Sequence, residues 1–188
     1  QPRSRGLGDV YKRQLLGVLA LFLYVGVETI ALATATGYAK ALELPGDNYG
    51  FIPSIGMVVG YICGATLIPK YLSQATAMKI CAIIAIIGSA LVATMPAEIS
   101  IYCIFFMALG CSLMWPALWP LAMADLGKFT KAGSSLLTMA IAGGAVMPWV
   151  RGVVQDATSF QTSYWICVPC FLFILYYGMI GYKIRTKK

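Results

Sequence analysis

Six continuous apolar stretches, each close to the length of a membrane-crossing helix, dominate this chain of 188 residues. Crossing about 30 Å of hydrocarbon takes about 20 residues at helical rise, whereas membrane barrels use shorter strands of about ten alternating residues. The pattern therefore predicts an all-α fold with six transmembrane helices. The predicted spans run from Leu15 to Ala39, Tyr49 to Pro69, Ala77 to Met95, Ile99 to Ala124, Ala132 to Val150 and Thr162 to Tyr182.

The composition agrees with a membrane location. Hydrophobic residues make up 60% of the chain and charged residues 11%, against about 25% charged residues in soluble domains. The net charge of +7 could indicate a nucleic-acid partner, but much of the basic excess lies in terminal clusters and in short connections at membrane ends. Orientation in a membrane explains that distribution better, so we expect no nucleic-acid partner.

Lys and Arg are unevenly distributed between the connections. Cytoplasmic loops are enriched in them, and the first, third and fifth connections carry only Lys40 and Arg151, beside acids that include Glu43, Asp47, Glu98 and Asp156. We therefore expect both termini of the segment in the cytoplasm. Lys70 and Lys79 flank the second connection, and Lys128 and Lys131 lie in the fourth. The tail contains Lys183, Arg185, Lys187 and Lys188.

The first fourteen residues, QPRSRGLGDVYKRQ, are polar and basic, unlike everything that follows. They lack the order of a signal peptide, in which a basic region precedes a short apolar core and a small-residue cleavage site. They look like a translated adapter or cloning remnant, so residues 1–14 are predicted to lie outside the fold and residues 15–188 to form one domain. The first residue is not Met, and we expect the chain to begin inside a longer protein.

Side chains for enzyme chemistry are scarce. The chain has no His, which excludes Ser-His and Cys-His catalytic pairs and His-based metal sites. All six Cys lie in the apolar stretches rather than in loops, and Cys167-Val-Pro-Cys170 falls in the middle of a span, where small packing residues are a better interpretation than a redox pair. We expect no enzyme activity, no metal and no cofactor.

Two stretches carry signals of helix packing and bending. Gly56, Gly60 and Gly64 recur at every fourth position and give one helix face on which a neighbouring backbone can approach closely. Contact within a bundle is favoured over homodimerisation. Pro116 and Pro120 lie inside the fourth stretch, where each removes a backbone hydrogen bond and bends the helix, a feature typical of transport pathways.

Ser112, Trp115 and Trp119 follow one another at i, i+3 and i+7, so one helical face carries all three. Trp near a membrane end is commonly an interfacial anchor, and contact with a bound substrate is the alternative. The sequence leaves both interpretations open.

Glu28 is the only charged residue well inside any of the six stretches. An ionised side chain at a helix centre costs about 3 kcal/mol even on a lenient insertion scale, so Glu28 is expected to face the bundle interior or to take up a proton. Tyr24 lies one turn earlier on the same face. An isolated carboxylate at membrane depth predicts a transport function.

Three segments resemble a known family: LFLYVGVE (21–28), SLMWPALWPLAMADLGKFT (112–130) and GSSLLTMAIAGGAVMP (133–148). They resemble the C-terminal half of sugar transporters of the major facilitator superfamily, most closely the fucose permease and glucose/galactose transporter branch. The third segment is the most specific, with Gly143-Gly144 followed by Pro148, and it adds Gly143 and Gly144 to the expected helix-packing residues. The resemblance extends from Leu15 onward and implies spans seven to twelve of a twelve-span protein.

The resemblance implies that this chain supplies only one part of a transporter. Two six-helix halves enclose a central site, and alternating access carries a hexose or deoxyhexose together with a proton. The implied partners are the sugar, the proton, membrane lipid and a missing N-terminal half, and the implied location is the plasma (inner) membrane. Because the fucose permease carries its proton-coupling acids in the N-terminal half, this chain alone is not expected to transport.

Within the family the substrate candidates are Glu28, Tyr24, Ser112, Trp115 and Trp119. Glucose/galactose members show a similar Tyr-Val-Gly-x-Glu, and three roles stay open for Glu28: acceptor for sugar hydroxyls, proton-coupling acid, or structural carboxyl. Indole rings suit the apolar faces of sugars, and a serine hydroxyl could add a hydrogen bond. Branch members often carry Asn where this chain has Cys111, which is a departure from the pattern.

The sequence leaves two other functions as alternatives. A self-sufficient six-span channel or oligomeric pore would need a polar position that forms a ring, and this chain offers a single intramembrane acid. A major facilitator with a non-sugar substrate is the second alternative. Saturable flux with sugar competition would distinguish a sugar transporter from a pore.

Overall fold

The computed structural model describes residues 2–45, 48–68, 70–124 and 126–183. Within these ranges the chain is helical and contains no strand, which confirms the all-α prediction. Some residues used above lie outside the described residues: Asp47, Pro69, Arg185, Lys187 and Lys188.

Nine α-helices follow one another along the described chain, with 3₁₀ turns at Gly127–Phe129, Thr162–Ile166 and Gly181–Lys183. They are α1 (Pro2–Ala33), α2 (Ala35–Ala41), α3 (Phe51–Leu67), α4 (Gln74–Thr94), α5 (Ala97–Ser112), α6 (Met114–Met123), α7 (Thr130–Ala140), α8 (Gly143–Ala157) and α9 (Cys167–Met179).

Five helical segments of the described chain are long and apolar enough to cross a membrane. The second predicted span corresponds to α3, an apolar helix of 17 residues. At about 1.5 Å per residue this helix is about 26 Å long, slightly shorter than the hydrocarbon layer. A sixth crossing therefore stays a prediction. The five segments are Lys12–Ala33, Gln74–Thr94, Ala97–Met123, Thr130–Ala157 and Thr162–Lys183.

The first helix begins earlier than the sequence pattern indicates. α1 starts at Pro2, so most of the segment assigned to a tail continues the helix that carries Glu28. Arg13 and Gln14 are buried, and the Arg13 guanidinium donates a hydrogen bond to the carbonyl of Ala124. The adapter origin of these residues stays a prediction.

The fifth span was predicted too short. α8 continues to Ala157, so Arg151 and Asp156 belong to the helix and not to the connection after Val150. Arg151 is 4% exposed, and its guanidinium carbon lies over the rings of Phe160 at 4.3 Å and Tyr164 at 4.8 Å. Cation–π contacts of this kind offset part of the cost of removing a cation from water. Glu28 is therefore not the only charge deep in the bundle.

Three of the predicted spans consist of two helices each. The interruptions lie at Thr34 between α1 and α2, at Leu113 between α5 and α6, and at residues 141–142 between α7 and α8. The break at Leu113 has a local cause: Pro116 has no N–H for the carbonyl of Ser112, and its ring crowds that carbonyl. The ladder resumes with the hydrogen bond from the Ala117 N–H to the Leu113 carbonyl, 3.3 Å long. Pro120 lies inside α6.

α1 is the central helix of the bundle and packs against α5, α6, α7, α8 and α9. On one flank α3 packs mainly on α5, and α4 lies between α5 and α9. The three glycines of α3 are buried against α5: Gly56 faces the Phe105 carbonyl, Gly60 faces Ser112 and Gly64 faces Leu113. A methyl group at any of them would meet atoms of α5 or of its C-cap residue Leu113, so the lack of side chains sets the helix separation.

Candidate functional site

Glu28 and Tyr24 form a hydrogen-bonded pair on one face of α1. The Tyr24 hydroxyl donates to Oε1 of Glu28 across 2.6 Å, and the two residues are one helical turn apart. Tyr24 is fully buried and Glu28 is half-buried. The phenol thus orients the carboxylate, and the other carboxylate oxygen takes no part in that bond.

An aromatic surface continues from Tyr24 onto α6. The rings of Tyr24 and Trp115 have centroids 6.3 Å apart and are tilted by 50°. Trp115 stacks on Trp119, with centroids 5.6 Å apart and an interplanar angle of 28°. Both indoles are half-buried, so part of each ring surface stays accessible. The structure thus brings four of the five predicted substrate residues together.

Ser112 differs from the other four. It is fully buried, its hydroxyl donates to the Leu109 carbonyl across 2.7 Å, and its side chain packs against Gly60. The break at Leu113 also separates Ser112 from the helix that carries the two tryptophans, so the i, i+3 relation does not continue through it. A role for Ser112 in substrate binding stays a prediction.

Two neighbours of Glu28 were not selected from the sequence as binding residues. Its carboxylate lies within electrostatic range of the Tyr61 hydroxyl on α3 and of the Cys111 thiol on α5. Tyr61 is 46% exposed and Cys111 is fully buried. Tyr61 follows Gly60 directly, and the close approach of that glycine to α5 was the available signal that this part of α3 lies near the centre.

Gly143 and Gly144 hold α8 against α1 near the carboxylate. A methyl group on Gly143 would meet the backbone of Phe22, and one on Gly144 would lie 3.1 Å from Oγ1 of Thr29. From the α1 side, Gly26 faces Met147 in the same way. Because backbone atoms form part of this contact, the position of α8 relative to Glu28 is tightly defined.

The arrangement offers a charged acceptor beside a phenol and two indole faces. A carboxylate makes strong charge-assisted hydrogen bonds to O–H donors, and aromatic faces contact apolar C–H surfaces. Such a site suits a ligand that carries both hydroxyl groups and an apolar face. In the part of the chain that the structure describes, no group of three or more His, Cys, Asp or Glu side chains is placed to hold a metal ion.

Comparison with curated proteins finds sugar transporters, whereas no family model matches. A glucose/galactose transporter of Brucella abortus is 27% identical over 187 residues, which cover 96% of this chain and 45% of that protein. A putative glucose/galactose transporter of Helicobacter pylori strain J99 is 30% identical, covering 92% and 44%. The L-fucose-proton symporter of Escherichia coli is 30% identical over 176 residues, covering 90% and 40%. The chain thus spans less than half the length of these relatives.

Comparison with solved structures gives the same relationship. The crystal structure of the major facilitator superfamily transporter FucP, in an outward conformation, matches with a TM-score of 0.85 and 26% sequence identity. The match covers 95% of this chain and 45% of that one.

Proposed function

Because the chain belongs to the major facilitator superfamily, in the branch of the glucose/galactose and fucose transporters, we propose that it serves alternating-access transport of a hexose or deoxyhexose. It is an integral membrane protein, and its relatives are transporters rather than enzymes. The observation that carries the proposal is the Tyr24–Glu28 hydrogen bond beside Trp115 and Trp119.

In this proposal Glu28 accepts hydrogen bonds from sugar hydroxyls. Tyr24 fixes one carboxylate oxygen, so the second is available to the substrate without reorientation of the side chain. Trp115 and Trp119 contact the apolar face of the sugar. The roles of proton-coupling acid and of structural carboxyl for Glu28 are the alternatives, and the experiment below distinguishes them.

The chain supplies one half of the transporter in this proposal. Its helices correspond to the six C-terminal spans, of which α3 is the second and the shortest. An N-terminal six-helix half completes the central site. Both termini of the segment lie on the cytoplasmic side of the inner membrane, in agreement with the basic second and fourth connections. The proposed coupling to a proton is supported by the name of one relative, the L-fucose-proton symporter.

The test is Glu28→Gln in the full-length protein, reconstituted in vesicles and assayed for sugar uptake and for counterflow. If Glu28 binds sugar, the apparent affinity falls in both assays, because a neutral amide is a weaker acceptor than a carboxylate. If Glu28 only couples the proton, proton-driven uptake falls and counterflow persists. Glu98→Gln, which changes an exposed acid in the first turn of α5, is the matched control.

Unchanged kinetics in both assays would rule out the binding and coupling roles together. A fall in the amount of folded protein, with normal kinetics in what remains, would assign a structural role to Glu28. Non-saturating ion leakage in place of saturable, sugar-competed flux would indicate a pore and contradict the proposed transport function.

A further inference from the structure

A cavity of about 220 Å³ lies between α3, α4 and α5, and neither Tyr24 nor Glu28 lines it. Its walls come from the C-terminal turns of α3, the N-terminal turns of α4 and the end of α5, and Ile68 and Leu72 lie at its rim. The cavity is partly open to the surroundings. Its position close to the 68–72 connection places it in one leaflet of the membrane.

The lining of this cavity is apolar. Aliphatic side chains, thiols and glycines form it, including Cys63, Leu67, Ile80 and Ile84. The one hydroxyl in the lining belongs to Ser112 and already donates to the Leu109 carbonyl. A buried water needs two to four polar partners, which this cavity does not offer, so water does not fill it.

The most abundant apolar molecules available to an open cavity at membrane depth are lipid acyl chains. An empty void forfeits dispersion contacts along its walls, and apolar cavities of about 150 Å³ already accommodate a molecule of the size of benzene. A bilayer surrounds the spans with acyl chains at high concentration. A segment of acyl chain therefore fits the cavity in both size and polarity.

The rim adds a charge. Lys70 and Tyr71 are exposed on the connection whose flanking residues, Ile68 and Leu72, line the cavity. Tyrosine is enriched at the level of the lipid headgroups, and a lysine close to the membrane surface attracts anionic headgroups. The nearby Lys79 does not serve this rim, because its side chain lies beside Gly178 of α9.

We propose that the cavity between α3, α4 and α5 binds one anionic phospholipid, with an acyl chain in the cavity and the phosphate beside Lys70. Neither Tyr24 nor Glu28 lines this lipid site. Its occupation supports the α3–α5 contact, which lies directly beside the cavity at Gly60 and Gly64.

The test is native mass spectrometry of the full-length protein, purified from vesicles of equal amounts of phosphatidylglycerol and phosphatidylcholine. The wild-type protein is expected to retain one phosphatidylglycerol with about fivefold preference, the effect of a single lysine near the headgroup. Lys70→Gln is expected to remove the preference. Cys63→Phe, which fills part of the cavity, is expected to remove the retained lipid altogether.

Each variant has a neighbouring control. Lys79→Gln removes a basic residue near the same connection. Ile62→Phe adds an aromatic ring next to Cys63 in the chain, at a residue that is exposed and does not line the cavity. Both controls should behave as the wild type. The proposal is overturned if the wild type retains no lipid, if it retains the two lipids equally, or if either test variant matches its control.

Discussion

Tyr24 limits the orientations available to the Glu28 carboxylate, because its hydroxyl donates a 2.6 Å hydrogen bond to Oε1. Tyr24→Phe removes that bond and keeps the ring that packs near Trp115. A hydrogen bond to a charged group contributes about 1.5–3 kcal/mol, so the KM for the sugar is expected to rise roughly tenfold. Uptake measured over a series of sugar concentrations provides the KM.

Tyr102→Phe is the matched control for this prediction, because Tyr102 is an exposed residue of α5. Its KM should equal that of the wild type, and both variants should be recovered in similar amounts. An unchanged KM for Tyr24→Phe would show that the phenol does not position the carboxylate for substrate.

The approach of α3 to α5 depends on Gly60, which packs against Ser112. Gly60→Ala adds a methyl group where the serine side chain already lies. Overpacking of this kind typically costs about 1–3 kcal/mol, so the melting temperature of the purified protein is expected to fall. A second replacement, Ser112→Gly, makes room for the methyl group and should restore part of the loss.

Gly152→Ala provides the comparison within α8, because a methyl group there would meet no atom within 4 Å. Alanine is favoured over glycine inside a helix by about 0.5–1 kcal/mol, so this variant should be as stable as the wild type or slightly more stable. Equal melting temperatures for Gly60→Ala and Gly152→Ala would contradict the packing role of Gly60.

The break between α5 and α6 depends on Pro116, which cannot donate to the Ser112 carbonyl. Pro116→Ala supplies the missing N–H and allows the helix to continue through Leu113. Trp115 would then turn away from Tyr24, so the sugar uptake rate should fall several-fold while the protein still folds. Pro53→Ala is the control, because Pro53 lies in the first turn of α3, where a backbone N–H has no helical partner. Equal uptake by the two variants would contradict this interpretation.

The structural features that the sequence predicted are those that depend on residues close together in the chain. Apolar length indicated the helical segments, and Pro116 and the glycines of α3 indicated a bend and a close contact from their covalent structure alone. Arg151 was misplaced because its partners, Phe160 and Tyr164, are supplied by the following segment, a contact that no helical period reveals.

The same limit applied to the candidate site. Tyr24 and Glu28 share one face of one helix, so their spacing predicted their proximity. Tyr61 lies within electrostatic range of Glu28 but belongs to another helix, and the packing of α3 in the bundle brings the two groups near each other. The i, i+3 spacing of Ser112 and Trp115 predicts that they share a helical face. The helix is interrupted at Leu113, so the two residues belong to different helices.

At the scale of the whole molecule, α1 joins the candidate site to most of the bundle, because it packs against α5 through α9. Its Tyr24 ring lies near Trp115 of α6, and its Gly26 face lies against α8. A change in the position of α1 would therefore alter the carboxylate, the indoles and α8 together. Such coupling would serve the alternating access that we propose for the full-length protein.

The number of crossings depends on α3, whose 17 residues span about 26 Å. If α3 crosses, Lys40 and Lys70 lie on opposite sides of the membrane; if it does not, they lie on the same side. We expect a crossing, because glycines of α3 are buried against a helix pair, Ala97–Met123, that is long enough to span. The native cysteines are first replaced by alanine, and single cysteines are then introduced at Lys40, Lys70 and Lys131. Labelling with a membrane-impermeant maleimide shows on which side of the membrane each position lies.

In intact cells, Lys40→Cys should react, and Lys70→Cys and Lys131→Cys should react only after permeabilisation. Lys131 lies at the end of the next basic connection, in the first turn of α7. The two spans between it and Lys70 return the chain to the same side, so it checks the order independently of α3. All three positions are exposed, which excludes burial as a cause of poor labelling. Equal labelling of Lys40→Cys and Lys70→Cys in intact cells would mean that α3 does not cross. In that case the polarity of every later helix would be reversed relative to α1, which is incompatible with the six-span half proposed for this chain.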